Sequence, residues 1–186
     1  MRRRSRRSSF LRLAAVTFGL TASAESVTPA HAAEVLDESM IQAVARTLGF
    51  LESAPHEQQF EIAVLYAPSE EAAATEAASQ LTGLPGPRRA TLHATAYTAD
   101  ELDQTADRID ALIVTPGQAE DADWIANFIR SRRVVSVSTD PDCLAANTCV
   151  VRVNADRNVE IVLNTRLADA VGARFSTVFT MMVIRR

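Results

Sequence analysis

Apolar residues Ile41, Val44, Leu48 and Leu51 recur at steps of three and four along residues 38–51. That spacing gathers them on one face and predicts a helix, with Pro55 marking a stop beyond it. The run FEIAVLY, residues 60–66, is short, apolar apart from Glu61, and of strand length. Pro68-Ser69 then opens an alanine-rich helix predicted to reach about Leu81, and GLPGP, residues 83–87, reads as a turn. Thr91 to Tyr97 alternates as a strand. Thr98 is the predicted N-cap of a helix through Arg108, with Glu101 in the capping-box position.

DALIVTP, residues 110–116, is a second buried run. Beyond Pro116-Gly117 the pattern predicts a helix with Glu120, Asp121 and Asp123 in its first turns. Trp124, Ile125, Phe128 and Ile129 form its apolar stripe, and Arg130, Arg132 and Arg133 close it, a charge order that suits the helix dipole. VVSVS, residues 134–138, predicts another strand. CVVRV and VEIVLN flank a linker from Asn154 to Asn158 and predict a hairpin. Leu167 to Val171 reads as a helix capped by Gly172. FSTVFTMMVI predicts a last helix packed under the sheet, with Met181 and Met182 in the core beside Trp124 and Phe128. Strand and helix alternate through the middle of the chain, so the expected fold class is α/β: three layers, a mostly parallel sheet with helices on both faces, and a C-terminal antiparallel hairpin.

Composition changes this picture at the N-terminus. A basic stretch from Arg2 to Arg12, an apolar stretch from Leu13 to about Ala22, and small-x-small sites at Ala22-Ser23-Ala24 and Ala30-His31-Ala32 form the pattern of an export signal. The apolar stretch is shorter than the ~20 residues a membrane span needs. The expectation is a cleaved signal over residues 1–32, with an alternative site after 24, and a single domain over 33–186. Arg6-Arg7 before Phe10-Leu11 resembles a twin-arginine signal with the Phe one place late, so both export routes stay open. Without residues 1–32 the chain keeps 13 arginines against 22 acids, a net charge of −9, and it has no lysine. Such a balance disfavours nucleic acid and predicts no polybasic patch for anionic lipid and no membrane insertion of the exported part.

Export also bears on Cys143 and Cys149, the only cysteines. In an oxidising compartment a nearby pair reads most simply as a disulfide. A metal site would add His or Asp at ligand spacing, and a redox pair would read Cys-x-x-Cys at a helix start. His56 and His93 have no partner at metal or triad spacing, and no nucleophile-elbow, zinc-protease, Walker or dinucleotide fingerprint is present. Asp140 and Asp142 of DPD read as turn chemistry. No cofactor and no catalytic residue is expected. In open parallel sheets ligands sit beyond the C-terminal ends of the strands, which nominates Ser69, Thr115, Gly117 and Ser138 as ligand-binding candidates, with ordinary helix capping as the competing reading.

The order of segments carries a resemblance. GFLESAP (49–55), EIAVLYAPS, IDALIVTP, VVSVSTDPDC and the ending with Gly172, Arg174, Phe175 and Ser176 together resemble the YfiR/HmsC-like family of periplasmic signalling regulators, over nearly all of residues 33–186. The chain departs from that pattern at Ala54-Pro55, where the family commonly has Trp-Pro, and at Ala145-Ala146-Asn147, where Gly-Gly is common. The resemblance implies a disulfide in the loop before the hairpin and a capacity to form homodimers. It further implies a non-catalytic periplasmic protein that restrains the sensor domain of an inner-membrane diguanylate cyclase or sensor kinase, and so affects cyclic di-GMP and biofilm signalling. IAVLYAPSEEAAATEAASQL is also similar to the opening of a solute-binding lobe, which makes a small-ligand-binding periplasmic protein the alternative. A redox enzyme using the two cysteines is the third reading.

Overall fold

The computed structural model describes residues 36–105, 108–155 and 158–186, all within the compact unit His31–Arg186. Residues 1–32, read from the sequence as an export signal, lie outside the described residues. The elements in chain order are α1 (Glu38–Gly49), β1 (Gln59–Leu65), α2 (Glu71–Leu81), β2 (Thr91–Tyr97), α3 (Ala99–Thr105), β3 (Ala111–Val114) and α4 (Ala122–Arg132). They continue with β4 (Val135–Ser138), α5 (Cys143–Ala146), β5 (Val151–Asn154), β6 (Glu160–Leu163), α6 (Thr165–Val171), α7 (Thr177–Met182) and β7 (Ile184–Arg185).

One seven-stranded sheet runs in the order β2-β1-β3-β4-β5-β6-β7. β1 to β5 are mutually parallel where they pair, β6 returns antiparallel to β5, and β7 lies parallel to β6. The expected three-layer α/β class with its hairpin is therefore present. The central strands are buried on both faces: Ile62, Ala63, Val64 and Leu65 are all at most 2% exposed, and even Ser136 and Ser138 of β4 are covered. Right-handed crossovers set the helices on opposite faces, since β1 to β2 steps one way along the sheet and β2 to β3, β3 to β4 and β4 to β5 step the other.

Local signals act where the sequence puts them. Thr98 and Glu101 form a reciprocal capping box: the Thr98 N–H donates to Glu101 Oε2 at 2.9 Å, and the Glu101 N–H donates to Thr98 Oγ1 at 3.4 Å. These bonds hold the Glu101 carboxyl below its ordinary value. Asn164 caps α6 by accepting the Leu167 N–H at 3.0 Å, and Gly172 ends it in the left-handed conformation, φ +76°. Gly83, φ +91°, turns the chain after α2 so that it runs back along the outer edge of β2. There the Leu92 N–H donates to the Leu84 carbonyl, the Gly83 N–H donates to the Leu92 carbonyl, and the Ala94 N–H donates to Thr82 Oγ1. A long edge strand is thereby covered over most of its length.

Three expectations are corrected. The last apolar run is not one buried helix: α7 stops at Met182, and Ile184-Arg185 pairs with Val162-Leu163 as an edge strand. Met181 and Met182 are 74% and 63% exposed, because Phe179 alone anchors α7 inward, packed against Phe50 and Phe175 at ring distances of 5.4 and 4.8 Å. Helix α4 begins at Ala122, later than Pro116-Gly117 suggests, and leaves Glu120 and Asp121 ahead of it. The β1–β2 register sets the exposed His93 beside Glu61, Nδ1 to Oε2 2.7 Å, a pairing that spacing along the chain does not reveal.

Candidate functional site

The strand order places a topological switch between β1 and β3, where chain connections diverge to opposite faces. In this sheet architecture that is where a crevice for ligands opens, beyond the strand C-termini. Thr115 and Ser138 both stand there and are almost fully buried. The Thr115 hydroxyl donates to the Leu65 carbonyl at 2.9 Å, and the Thr115 N–H donates to the same oxygen at 3.1 Å. Gln118, also buried, donates from Nε2 to Thr115 Oγ1 at 3.3 Å. The Ser138 hydroxyl donates to the Val114 carbonyl at 2.6 Å and accepts the Asp140 N–H at 3.1 Å.

Asp140 ties the neighbouring loops together. Its Oδ1 accepts the Asp142 N–H at 2.8 Å, the turn expected of DPD, while its Oδ2 accepts the Gly117 N–H at 3.4 Å. Gly117 and Ser138 are thus joined through Asp140, while Thr115 belongs to a separate group with Gln118 and the Leu65 carbonyl. Ser69 is exposed in a short 3₁₀ turn after β1, and among the described residues no hydrogen bond joins it to the other three. Sequence reasoning missed Tyr66, the residue after β1, which is buried at the same edge. Burial pushes its phenol above the ordinary value, and the carboxylates of Glu71 and Glu101 push it the same way. Its place as the last residue of FEIAVLY was the available signal.

Cys143 and Cys149 form a disulfide with Cα atoms 5.4 Å apart, and both residues are buried. The bond closes α5 onto the start of the β5 segment. The Thr148 N–H donates to the Cys143 carbonyl at 3.0 Å, and Asn147 adopts the left-handed conformation, φ +57°. Among the described residues no group of three or more His, Cys, Asp and Glu side chains is arranged to hold a metal ion, and no helix is long and apolar enough to cross a membrane.

A concavity of about 480 Å³ lies at the opposite, N-terminal edge of the sheet. Leu51, Phe60 and Val135 contribute its apolar lining, and Arg132, Arg133, Arg174 and Asp110 its charges. The Asp110 side chain is 11% exposed; its Oδ2 accepts the Glu61 N–H at 2.9 Å and lies 3.7 Å from the Arg108 guanidinium. Burial outweighs both contacts and raises its carboxyl above the ordinary value. His56 stands apart from both places, its Nε2 2.8 Å from the Arg88 guanidinium. No family model matches the chain, and no curated protein matches it.

Proposed function

We propose that this chain is a non-catalytic regulator of the periplasm. In this reading it binds and restrains the periplasmic sensor domain of an inner-membrane signalling protein, a diguanylate cyclase or a sensor kinase, and thereby affects cyclic di-GMP and biofilm output. One observation carries the reading. At the switch point, where this topology ordinarily offers polar groups to a ligand, Thr115, Gln118, Ser138 and Asp140 are bonded to the protein's own backbone and to one another. Such an arrangement favours a protein that works through its surface. The buried disulfide suits an oxidising compartment. In-cell cross-linking of an affinity-tagged chain, followed by mass spectrometry, tests the reading. Recovery of an inner-membrane receptor with a cytoplasmic cyclase or kinase output supports it, and recovery of no other protein overturns it.

The alternative, a small-ligand-binding protein, is favoured by the 480 Å³ concavity with its apolar lining and three arginines. A thermal-shift series with small aromatic and aliphatic carboxylates tests it. Stabilisation lost in Arg174→Ala supports a carrier, and no stabilisation by any of them counts against it.

A further inference from the structure

The exposed apolar surface is concentrated near residues 178–184. Val178, Met181, Met182 and Ile184 are 56%, 74%, 63% and 48% exposed. Val178, Met181 and Met182 stand at i, i+3 and i+4 and so share one face of α7, turned away from the buried Phe179. This short helix is apolar on its solvent side as well as its core side. Single exposed apolar residues need no explanation, but a contiguous set does.

Charge is unevenly placed in the same direction. Residues 33–164 carry 9 arginines and 21 acids, a net of −12, whereas residues 165–186 carry 4 arginines and one acid, a net of +3. The Thr165 N–H and hydroxyl both donate to the Arg186 carbonyl, at 2.9 and 2.8 Å, which brings the start of α6 and Arg166 to the end of β7. Arg166, Arg185 and Arg186, all exposed, therefore lie on adjoining stretches of backbone at this corner, with Arg185 on the face of β7 opposite Ile184, and among the described residues none of them is in an ion pair.

We infer that this corner docks onto an anionic lipid surface, with the α7 side chains entering the headgroup boundary and the three guanidiniums held at the phosphates. Charge complementarity argues for an anionic occupant. Size argues for a lipid one: four side chains expose on the order of a few hundred Å², short of the roughly 800 Å² per partner in a stable protein interface. Shallow insertion beside basic groups needs no larger area. The acidic body does not prevent it, since charges beyond about 10 Å are largely screened at 0.1 M salt. The expectation of no basic patch averaged the charge over all of residues 33–186. The inference does not rest on the regulator reading, because the vesicle test contains no receptor.

Flotation of the unit His31–Arg186 with vesicles of phosphatidylglycerol and phosphatidylethanolamine, and with vesicles of phosphatidylcholine alone, decides it. The expected result is binding to the first only, released by high salt. Arg185→Ser with Arg186→Ser should weaken that binding about 25-fold, at about fivefold per arginine. Met181→Ser with Met182→Ser should abolish it while leaving the melting temperature unchanged. Failure to float with anionic vesicles, or equal flotation of both variants, overturns the inference. So does a two-chain mass in light scattering that falls to one chain in the methionine variant, which assigns the face to a second copy. A photo-reactive residue at position 181 that captures a protein and no lipid in cells also overturns it.

Discussion

Replacing both cysteines by alanine isolates what the disulfide contributes. The bridge joins residues six apart in sequence, so the loop it closes in the unfolded chain is short. The chain-entropy relation then gives about 2.2 kcal/mol at 25 °C. Removing two buried sulfur atoms adds on the order of 1 kcal/mol for lost packing. The native turn keeps its own bonds, Thr148 N–H to the Cys143 carbonyl and Ala146 N–H to the Asp142 carbonyl, both 3.0 Å, so no further loss follows. The total is about 3 kcal/mol. At roughly 2–4 °C per kcal/mol for a domain of this size, the melting temperature of Cys143→Ala/Cys149→Ala should fall by about 6–12 °C.

Differential scanning calorimetry at pH 7 measures that shift, with the parent protein in reductant isolating the loop-closure part, since its sulfur atoms remain. Far-ultraviolet circular dichroism should be unchanged and unfolding should stay cooperative. Two results refute the reasoning. A variant without a folding transition would mean that the loop holds the fold together, and a shift under about 2 °C would mean that loop closure is not where the bond acts.

Ser138→Ala removes a hydroxyl that both donates to the Val114 carbonyl and accepts the Asp140 N–H. It should cost about 1–3 kcal/mol in urea unfolding, and a neutral result would show that water replaces those bonds. Asp110 holds its proton more tightly folded than unfolded, since its folded value is raised. Its contribution to stability is therefore most favourable below the unfolded value of about 3.9 and is lost as pH rises through the folded value. Asp110→Asn should melt higher than the parent at pH 7 and lose that advantage by about pH 3; a lower melting temperature at pH 7 would sink the argument. Phe179→Ala should cost about 3–5 kcal/mol, while Met182→Ala on the same helix should stay within about 0.5 kcal/mol. Equal losses would contradict the inward and outward faces assigned to α7.

Much of the fold was legible because its signals are local. The stretches IAVLY and ALIV are apolar on both faces, as a covered sheet requires, and VVSVS alternates as a strand does. Thr98 with Glu101, and Gly172 after Val171, announce helix ends through bonds made within a few residues. What stayed hidden depends on residues far apart in sequence. His93 finds Glu61 only through a parallel register spanning 32 positions. The run FSTVFTMMVI shows no difference between Phe179 and Met181 until Phe50 and Phe175 are brought to one side of it. At the candidate site the positions were legible and their state was not: Thr115, Gly117 and Ser138 stand where strand ends predict, but the carbonyls and the carboxylate that engage them come from other strands and loops.

The two edges of the sheet are treated in opposite ways, and that contrast bears on what the surface is for. β2 has seven residues, long enough to recruit a foreign strand, and the segment Thr82–Pro85 occupies its outer hydrogen-bonding groups as far as Ala94. β7 needs no such cover, because two residues with Arg185 among them make a poor template for strand addition. Backbone pairing is thus discouraged at both ends of the sheet, so an apolar face beside β7 acts through its side chains. A basic, apolar corner of that kind on an otherwise acidic body also sets an orientation: the corner turns toward an anionic surface and the acidic remainder turns away. A regulator of a membrane receptor held in that orientation would present its remaining faces sideways, to whatever stands beside it on the same membrane.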